Sequence, residues 1–248
     1  RELTRIDKTV VGISSRDLNL LDRKATFAFL NEIKPTTVID AAAKVGGIGA
    51  NNSYPVEFLS ENIQIQTNLM DASHNAQVEK FVFLGSSCVY PKNCPQPIKE
   101  EYLLTGALEP TNSAYALAKI AGIELINSYR KEFGHSWISV MPTNLYGPND
   151  NFDLENSHVF AALIRKFIEA KKSSLKSVIL WGTGKPRREF LHVDDLAKAI
   201  ILCIEKYNSN GPINIGSGID LTISELATKI ASSVGFEGVI EWDISKVD

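Results

Sequence analysis

Apolar and polar positions along the chain fall into two alternating periods. Thr37-Val38-Ile39-Asp40-Ala41-Ala42-Ala43, Phe81-Val82-Phe83-Leu84 and Trp137-Ile138-Ser139-Val140-Met141 are short runs, the last two stopped by Gly85 and Pro142. Runs that are apolar on both faces suit parallel strands covered by helices. Between them, Ala25 to Ile33, Glu57 to Asn75 and Ala114 to Phe133 carry helical patterns, the last ending at Gly134. Strand–helix alternation predicts an α/β fold with a doubly wound parallel sheet. Ligands in such sheets sit outside the carboxyl ends of the strands. Those ends are Ala43, Gly85 to Cys88 and Pro142 to Asn144.

After Gly147 the pattern changes. Asn149-Asp150-Asn151-Phe152 is turn-rich. A helix is expected over His158 to Ala170 and a strand over Val178 to Trp181. A helix from Asp194 to Lys206 follows, with Asp194 as its N-cap, then a strand over Pro212 to Ile215. A last helix over Thr222 to Val234 opens on Thr222-x-x-Glu225, a capping box. Residues 1–147 are read as a nucleotide-binding domain. Residues 148–248 are read as mainly a smaller substrate lobe closing over it, with 188–216 partly returning to the first domain.

The 248 residues are 44% apolar and 22% charged, enough for a sizeable core. A net charge of −3 gives no general attraction to nucleic acid or anionic membrane. No apolar run approaches the roughly 20 residues that cross a bilayer. Cys88, Cys94 and Cys203 have neither disulfide nor zinc spacing, so a reducing cytoplasm is the default compartment and no metal is expected.

The chemistry-bearing residues lie at the predicted strand ends. Tyr115-x-x-x-Lys119 puts a phenol and an ammonium on one helix face. A neighbouring positive charge is expected to lower the Tyr pKa, making Tyr115 a usable proton donor near neutral pH. Alone, this spacing also fits an ordinary exposed pair. Ser86-Ser87-Cys88 follows a strand, where a hydroxyl can bind a carbonyl or simply make a turn. A strand-end Ser ahead of a Tyr–Lys helix is more specific than either piece.

Together these residues resemble the extended short-chain dehydrogenase/reductases. The runs Ala41 to Ile48, Leu84 to Pro91, Met141 to Pro148, Asn149 to Phe152 and Arg188 to Asp195 are similar, within that group, to the GDP-L-fucose synthases. The similarity extends from about Arg16 to the C-terminus, and Ser-Ser-Cys and Asn156-Ser157-His158-Val159 carry most of its specificity. It implies a Rossmann-type sheet, NADP(H), a GDP-4-keto-6-deoxy-D-mannose substrate and a homodimer. By the resemblance, Ser86 and Tyr115 bind the sugar C4 carbonyl, and Lys119 holds the nicotinamide ribose. Cys88 and His158 exchange the protons at C3 and C5. Leu84, Gly85, Ser86, Ser87, Pro142, Thr143, Asn144, Leu145 and His158 line the cofactor, with Asn68 in its wall. Arg16, after a short strand Val10 to Ile13, reads a 2′-phosphate. Lys166, Trp181 and Arg188 hold the nucleotide sugar. Each has a plainer reading: a buried apolar Cys88, a core Trp181, and solvated Lys166, Arg16 and helix-end His158.

One departure qualifies the resemblance. The sequence contains no glycine-rich pyrophosphate turn before Val10. It reads as beginning inside the first helix, as part of a longer chain. A 4-epimerase or 4,6-dehydratase is the rival enzyme class. A dehydratase is expected to carry an acid pair where Ser87-Cys88 stands, and a simple 4-epimerase leaves Cys88 with His158 unexplained.

Overall fold

The computed structural model describes residues 2–6, 8–153 and 157–246. The chain divides into two compact units, 1–143 with 194–215 and 144–193 with 216–248. In the first, α1 (Glu2–Arg5), α2 (Arg23–Ile33), β1 (Thr37–Asp40), α3 (Ile48–Ser53), α4 (Pro55–Asn75), β2 (Lys80–Leu84), α5 (Ser113–Phe133) and β3 (Ile138–Pro142) follow in order. The second opens with β4 (Asn144–Tyr146), α6 (Val159–Lys172), β5 (Ser177–Trp181) and β6 (Arg187–His192). The chain then returns for α7 (Val193–Lys206) and β7 (Pro212–Ile215), and ends with β8 (Asp220–Thr222), α8 (Ile223–Val234) and β9 (Val239–Asp243).

The first unit is built on a wholly parallel sheet of order β1-β2-β3-β7. Its core joins Phe81 and Phe83 of β2 to Met70 of α4, Ile123 and Ile126 of α5, and Trp137. These strands are buried on both faces, which is why their runs lack polar alternation. β1 is shorter than the apolar run because the Asp40 carboxylate accepts the Ala42 N–H at 3.0 Å, turning the backbone out of the ladder. Gly134 ends α5 at φ 72, a left-handed cap suited to glycine.

Two sequence expectations differ. Val10 to Ile13 is not a strand; Val10, Val11 and Ile13 are exposed, and among the described residues β1 pairs only with β2. An extended segment without a neighbour leaves its backbone to solvent. Asp194 lies inside the first turn of α7 rather than at its cap, because the helix already begins at Val193. There its charge still suits the positive helix end. β9 carried no signal strong enough to be read, and it pairs in parallel with β5.

The second unit has two small sheets, β4-β6-β8 and β5-β9. Its core packs Leu163 and Phe167 of α6 against Val178, Leu180, Leu226, Ile230 and Phe236. The capping box of α8 forms: Thr222 Oγ1 accepts the Glu225 N–H at 3.0 Å, and Glu225 accepts the Thr222 N–H at 2.7 Å. In the loop after β5, Gly184 adopts φ +68, and a Cβ there would come within 2.6 Å of Trp242. Gly184 serves a tight turn against an indole.

Candidate active site

Within the first unit, β2 and α5 position the reactive side chains. β2 ends at Leu84, and Gly85 donates its N–H to Val140 O at 2.9 Å. A Cβ on Gly85 would meet the end of the Met141 side chain at 2.2 Å, so a larger residue here would have to push that side chain aside. Ser86 is then extended and caps the short turn Ser87–Val89, its Oγ accepting from the Cys88 N–H at 3.4 Å. Cys88 is half-buried rather than sealed in a core.

From α5, Lys119 reaches back to this turn. It is 3% exposed, and its ammonium donates to the Leu84 carbonyl at 2.8 Å. The same nitrogen lies 4.7 Å from the centre of the Phe83 ring and 5.9 Å from that of Tyr115. Burial pushes the lysine below its ordinary pKa, while Asp40 and then Cys88 pull it back up. The close approach of α5 to the sheet depends on Gly122, where a Cβ would meet Phe83 at 2.4 Å. Gln66 of α4 fixes the same helix by donating to Ala118 O at 2.7 Å.

One electrostatic expectation reverses. Burial drives the Tyr115 phenol well above its ordinary pKa, and its acidic neighbours Cys88 and Asp40 raise it further as they ionise. Desolvation of a phenolate decides the direction, and a lysine four residues along the helix does not reverse it. The Cys88 thiol is likewise pushed up by burial, against the opposing Ser86 hydrogen bond and Lys119 charge. A group missed in the sequence joins them. Asp40, 1% exposed at the end of β1, has its carboxyl pushed up to about 6 by burial, partly offset by Lys119.

The other sequence-selected residues distribute unevenly. Pro142 ends β3 in the first unit, and the Thr143 N–H donates to Ile215 O. Asn144 and Leu145 open β4 in the second unit, where Asn144 Nδ2 donates to Glu189 O at 2.9 Å. Asn68 is taken up in structure: its amide donates to Leu20 O and accepts from Arg23. Arg16 is exposed in the turn Ser14–Asp17. His158 is the exposed N-cap residue of α6 and makes no side-chain cap bond. Asn156 lies outside the described residues.

The second unit assembles a separate group. Trp181, at the end of β5, is 66% exposed, so it is no core aromatic. Lys166 of α6 places its nitrogen 5.6 Å from the Trp181 ring, and Lys246, which carried no sequence signal, lies 5.8 Å from it on the other chain segment. Burial lowers the Lys166 pKa, contrary to a fully solvated reading. Arg188 is exposed on β6. Its neighbour Glu189 accepts from Gly218 N–H at 2.6 Å and from Ser217 Oγ at 3.1 Å, holding the turn before β8. No local pattern marks Glu189 for this, since its partners lie almost thirty residues onward.

A cavity of about 820 Å³ in the first unit is lined by Arg23, Asp71, His74, Tyr129 and His135 among others. It lies by Val78 and Glu79, ahead of β2, and so away from the strand ends that gather the reactive groups.

Comparison with known proteins agrees with this geometry. The NAD dependent epimerase/dehydratase family matches residues 1–216. GDP-L-fucose synthase 1 of Arabidopsis thaliana is 54% identical over 232 residues, covering 94% of this chain and 72% of that protein. GDP-L-fucose synthase of Escherichia coli (strain K12) is 49% identical over 258 residues, covering 100% and 80%. Among solved structures, a GDP-L-fucose synthetase from Naegleria fowleri bound to NADP aligns with a TM-score of 0.90 at 30% identity, over 100% of this chain and 77% of that one.

Proposed function

The chain belongs to the NAD dependent epimerase/dehydratase family, and from that premise we propose how its residues act as a GDP-L-fucose synthase. The reaction converts GDP-4-keto-6-deoxy-D-mannose to GDP-L-fucose by epimerisation at C3 and C5 and reduction at C4. The observation that carries the reading is the gathering of Ser86, Cys88, Tyr115 and Lys119 at the carboxyl ends of parallel strands.

The cofactor is NADP(H). The residues present fit its nicotinamide–ribose end: a buried ammonium beside the Leu84 carbonyl, with Ser86 and Ser87 just after it. Bound NADPH supplies the hydride for C4. Lys119 holds the ribose hydroxyls, and Gly85, Ser87, Pro142 and Thr143 form the wall. Arg16 is assigned the 2′-phosphate, and Asn144, Leu145 and His158 the remaining contacts. Asn68 supports that wall from behind, through the loop at Leu20.

Tyr115 protonates the C4 oxygen as it becomes an alkoxide, and Ser86 donates a second hydrogen bond to it. A phenol held above its ordinary pKa is fully protonated at neutral pH and is ready to act as the acid. The same two donors stabilise the enolate formed when a proton leaves C3 or C5. Cys88 and His158 are assigned those proton transfers, one removing a proton and the other returning one on the opposite face. Lys166 and Arg188 suit the diphosphate, and the exposed Trp181 face suits a base or sugar ring. On this reading the first unit is the cofactor domain and the second the substrate lobe. The enzyme acts as a cytoplasmic homodimer, and exposed Ile63 of α4 with Leu117 and Phe133 of α5 supports the association.

One observation favours a second reading. A thiol raised by burial is a poor base, which suits a C4 reductase without epimerisation. Product NMR in D₂O with NADPH and the keto sugar separates the two. GDP-fucose carrying deuterium at C3 and C5 supports the synthase. NADPH consumption without deuterium at those carbons leaves the reductase, and no reaction at all overturns both.

A further inference from the structure

Asp40 and Lys119 are the only Asp, Glu, Lys or Arg side chains in the buried set of the described residues, at 1% and 3% exposure. Burying one charge without its opposite is strongly unfavourable, and an apolar residue at the end of β1 would avoid that cost. The Asp40 carboxyl is also incompletely satisfied. Its Oδ1 accepts the Ala42 N–H, while its Oδ2 is buried and has no hydrogen-bond partner.

The sheet register says which face of the sheet that carboxyl is on. Asp40 pairs with Phe83 across the parallel β1–β2 ladder, and residues in register on parallel strands point to one face. The Phe83 ring lies under the Lys119 ammonium at 4.7 Å and against Gly122 of α5. Asp40 therefore projects onto the sheet face that α5 covers, one strand over from the Leu84 carbonyl that Lys119 grips. The other titratable groups coupled to this pair are Cys88, from the turn after β2, and Tyr115, one helical turn before the lysine. Neither is positively charged, so Lys119 is the one cation these groups share.

We propose that Asp40 is the buried counter-charge of Lys119, a positioning residue that keeps the ammonium charged at the site of C4 reduction. It deepens the proposed function, since it takes Lys119 as the reaction's lysine. Without Asp40 the ammonium keeps its hydrogen bond to Leu84 O but loses its only opposite charge from an aspartate or glutamate among the described residues. Its proton then leaves at lower pH, and with it the charge that holds ribose and balances the developing alkoxide.

The test is Asp40→Asn in enzyme labelled with ¹³C at the lysine ε carbons, with the Lys119 signal assigned by its loss in Lys119→Arg. Asn keeps the acceptor for Ala42 N–H and removes only the charge. The Lys119 titration is expected to move to lower pH, and reductive kcat/KM above neutral pH to fall roughly tenfold, the factor that one unit of pKa represents. An unmoved Lys119 titration in the folded variant overturns the proposal. Should the variant not fold, the native protein decides. The Asp40 carboxyl carbon must titrate near 6 and the Lys119 signal must respond over the same range. An Asp40 that stays protonated above neutral pH, or a lysine indifferent to it, overturns the pairing. The NMR readout needs no turnover, so a coupled pair in an enzyme without synthase activity sinks the proposed function and leaves the pairing standing.

Discussion

The strand-end group of the first unit and the Trp181 group of the second handle charge in opposite ways. Lys119 and Asp40 are nearly sealed from water, Tyr115 and Cys88 are half-buried, and burial shifts the pKa of all four. Trp181 and Arg188 stand in solvent, and Lys166 is only half-buried beside the indole. Groups that transfer protons gain from a low-dielectric setting, where each neighbouring charge acts strongly. Groups that recognise a polar diphosphate and a flat ring need access more than burial. The difference separates residues whose loss should change the rate of chemistry from residues whose loss should change binding.

Substitutions on the two sides sharpen this contrast. The largest effect is expected from Tyr115→Phe, which removes the proposed acid. Reductive kcat should fall by ~10²–10⁴-fold while KM for the keto sugar changes little, as steady-state NADPH oxidation will show. An equal rise in KM would place Tyr115 with the recognition residues instead. The pH dependence of epimerisation comes next. Only the thiolate of Cys88 is a base, and burial raises the thiol pKa, so the thiolate is scarce at neutral pH and grows as pH rises. Deuterium wash-in at C3 and C5 should therefore increase with pH, by about tenfold per unit below the thiol pKa. A profile flat through neutrality would contradict a thiol raised by burial.

On the recognition side, Trp181→Ala should raise KM for the nucleotide sugar about tenfold, leaving kcat and the unfolding temperature unchanged. A drop in stability would mean the indole packs more than its 66% exposure indicates. The smallest effect is expected from Thr222→Ala, which removes one half of the α8 capping box. It should cost about 1 kcal/mol. Calorimetry should show a lowered unfolding temperature with kinetic constants intact.

Much of this was legible in the sequence because it is local. Apolar runs marked β1, β2 and β3, the 3.6-residue period marked α4 and α5, and Thr222-x-x-Glu225 announced its own cap. Tyr115 and Lys119 were legible for the same reason, being one helical turn apart. What the sequence hid depends on burial and on distant partners. Asp40 sits in an otherwise apolar run, and only the β1–β2 register and the packing of α5 give its carboxylate a meaning. The sign of the Tyr115 shift was misread because spacing reveals a neighbouring ammonium but not the depth at which both groups lie. Val10 to Ile13 has strand composition without a strand to pair with among the described residues. Lys246 reaches Trp181 only because β9 pairs with β5, a contact with no local trace.

One strand-end group is proposed to run two separable proton chemistries, reduction at C4 and exchange at C3 and C5. Cys88→Ser, incubated with NADPH and GDP-4-keto-6-deoxy-D-mannose in D₂O and followed by product NMR, tests it most directly. Continued NADPH consumption is expected, with a product that carries no deuterium at C3 or C5. Deuterium at both carbons at the native rate would contradict it and remove Cys88 from the chemistry.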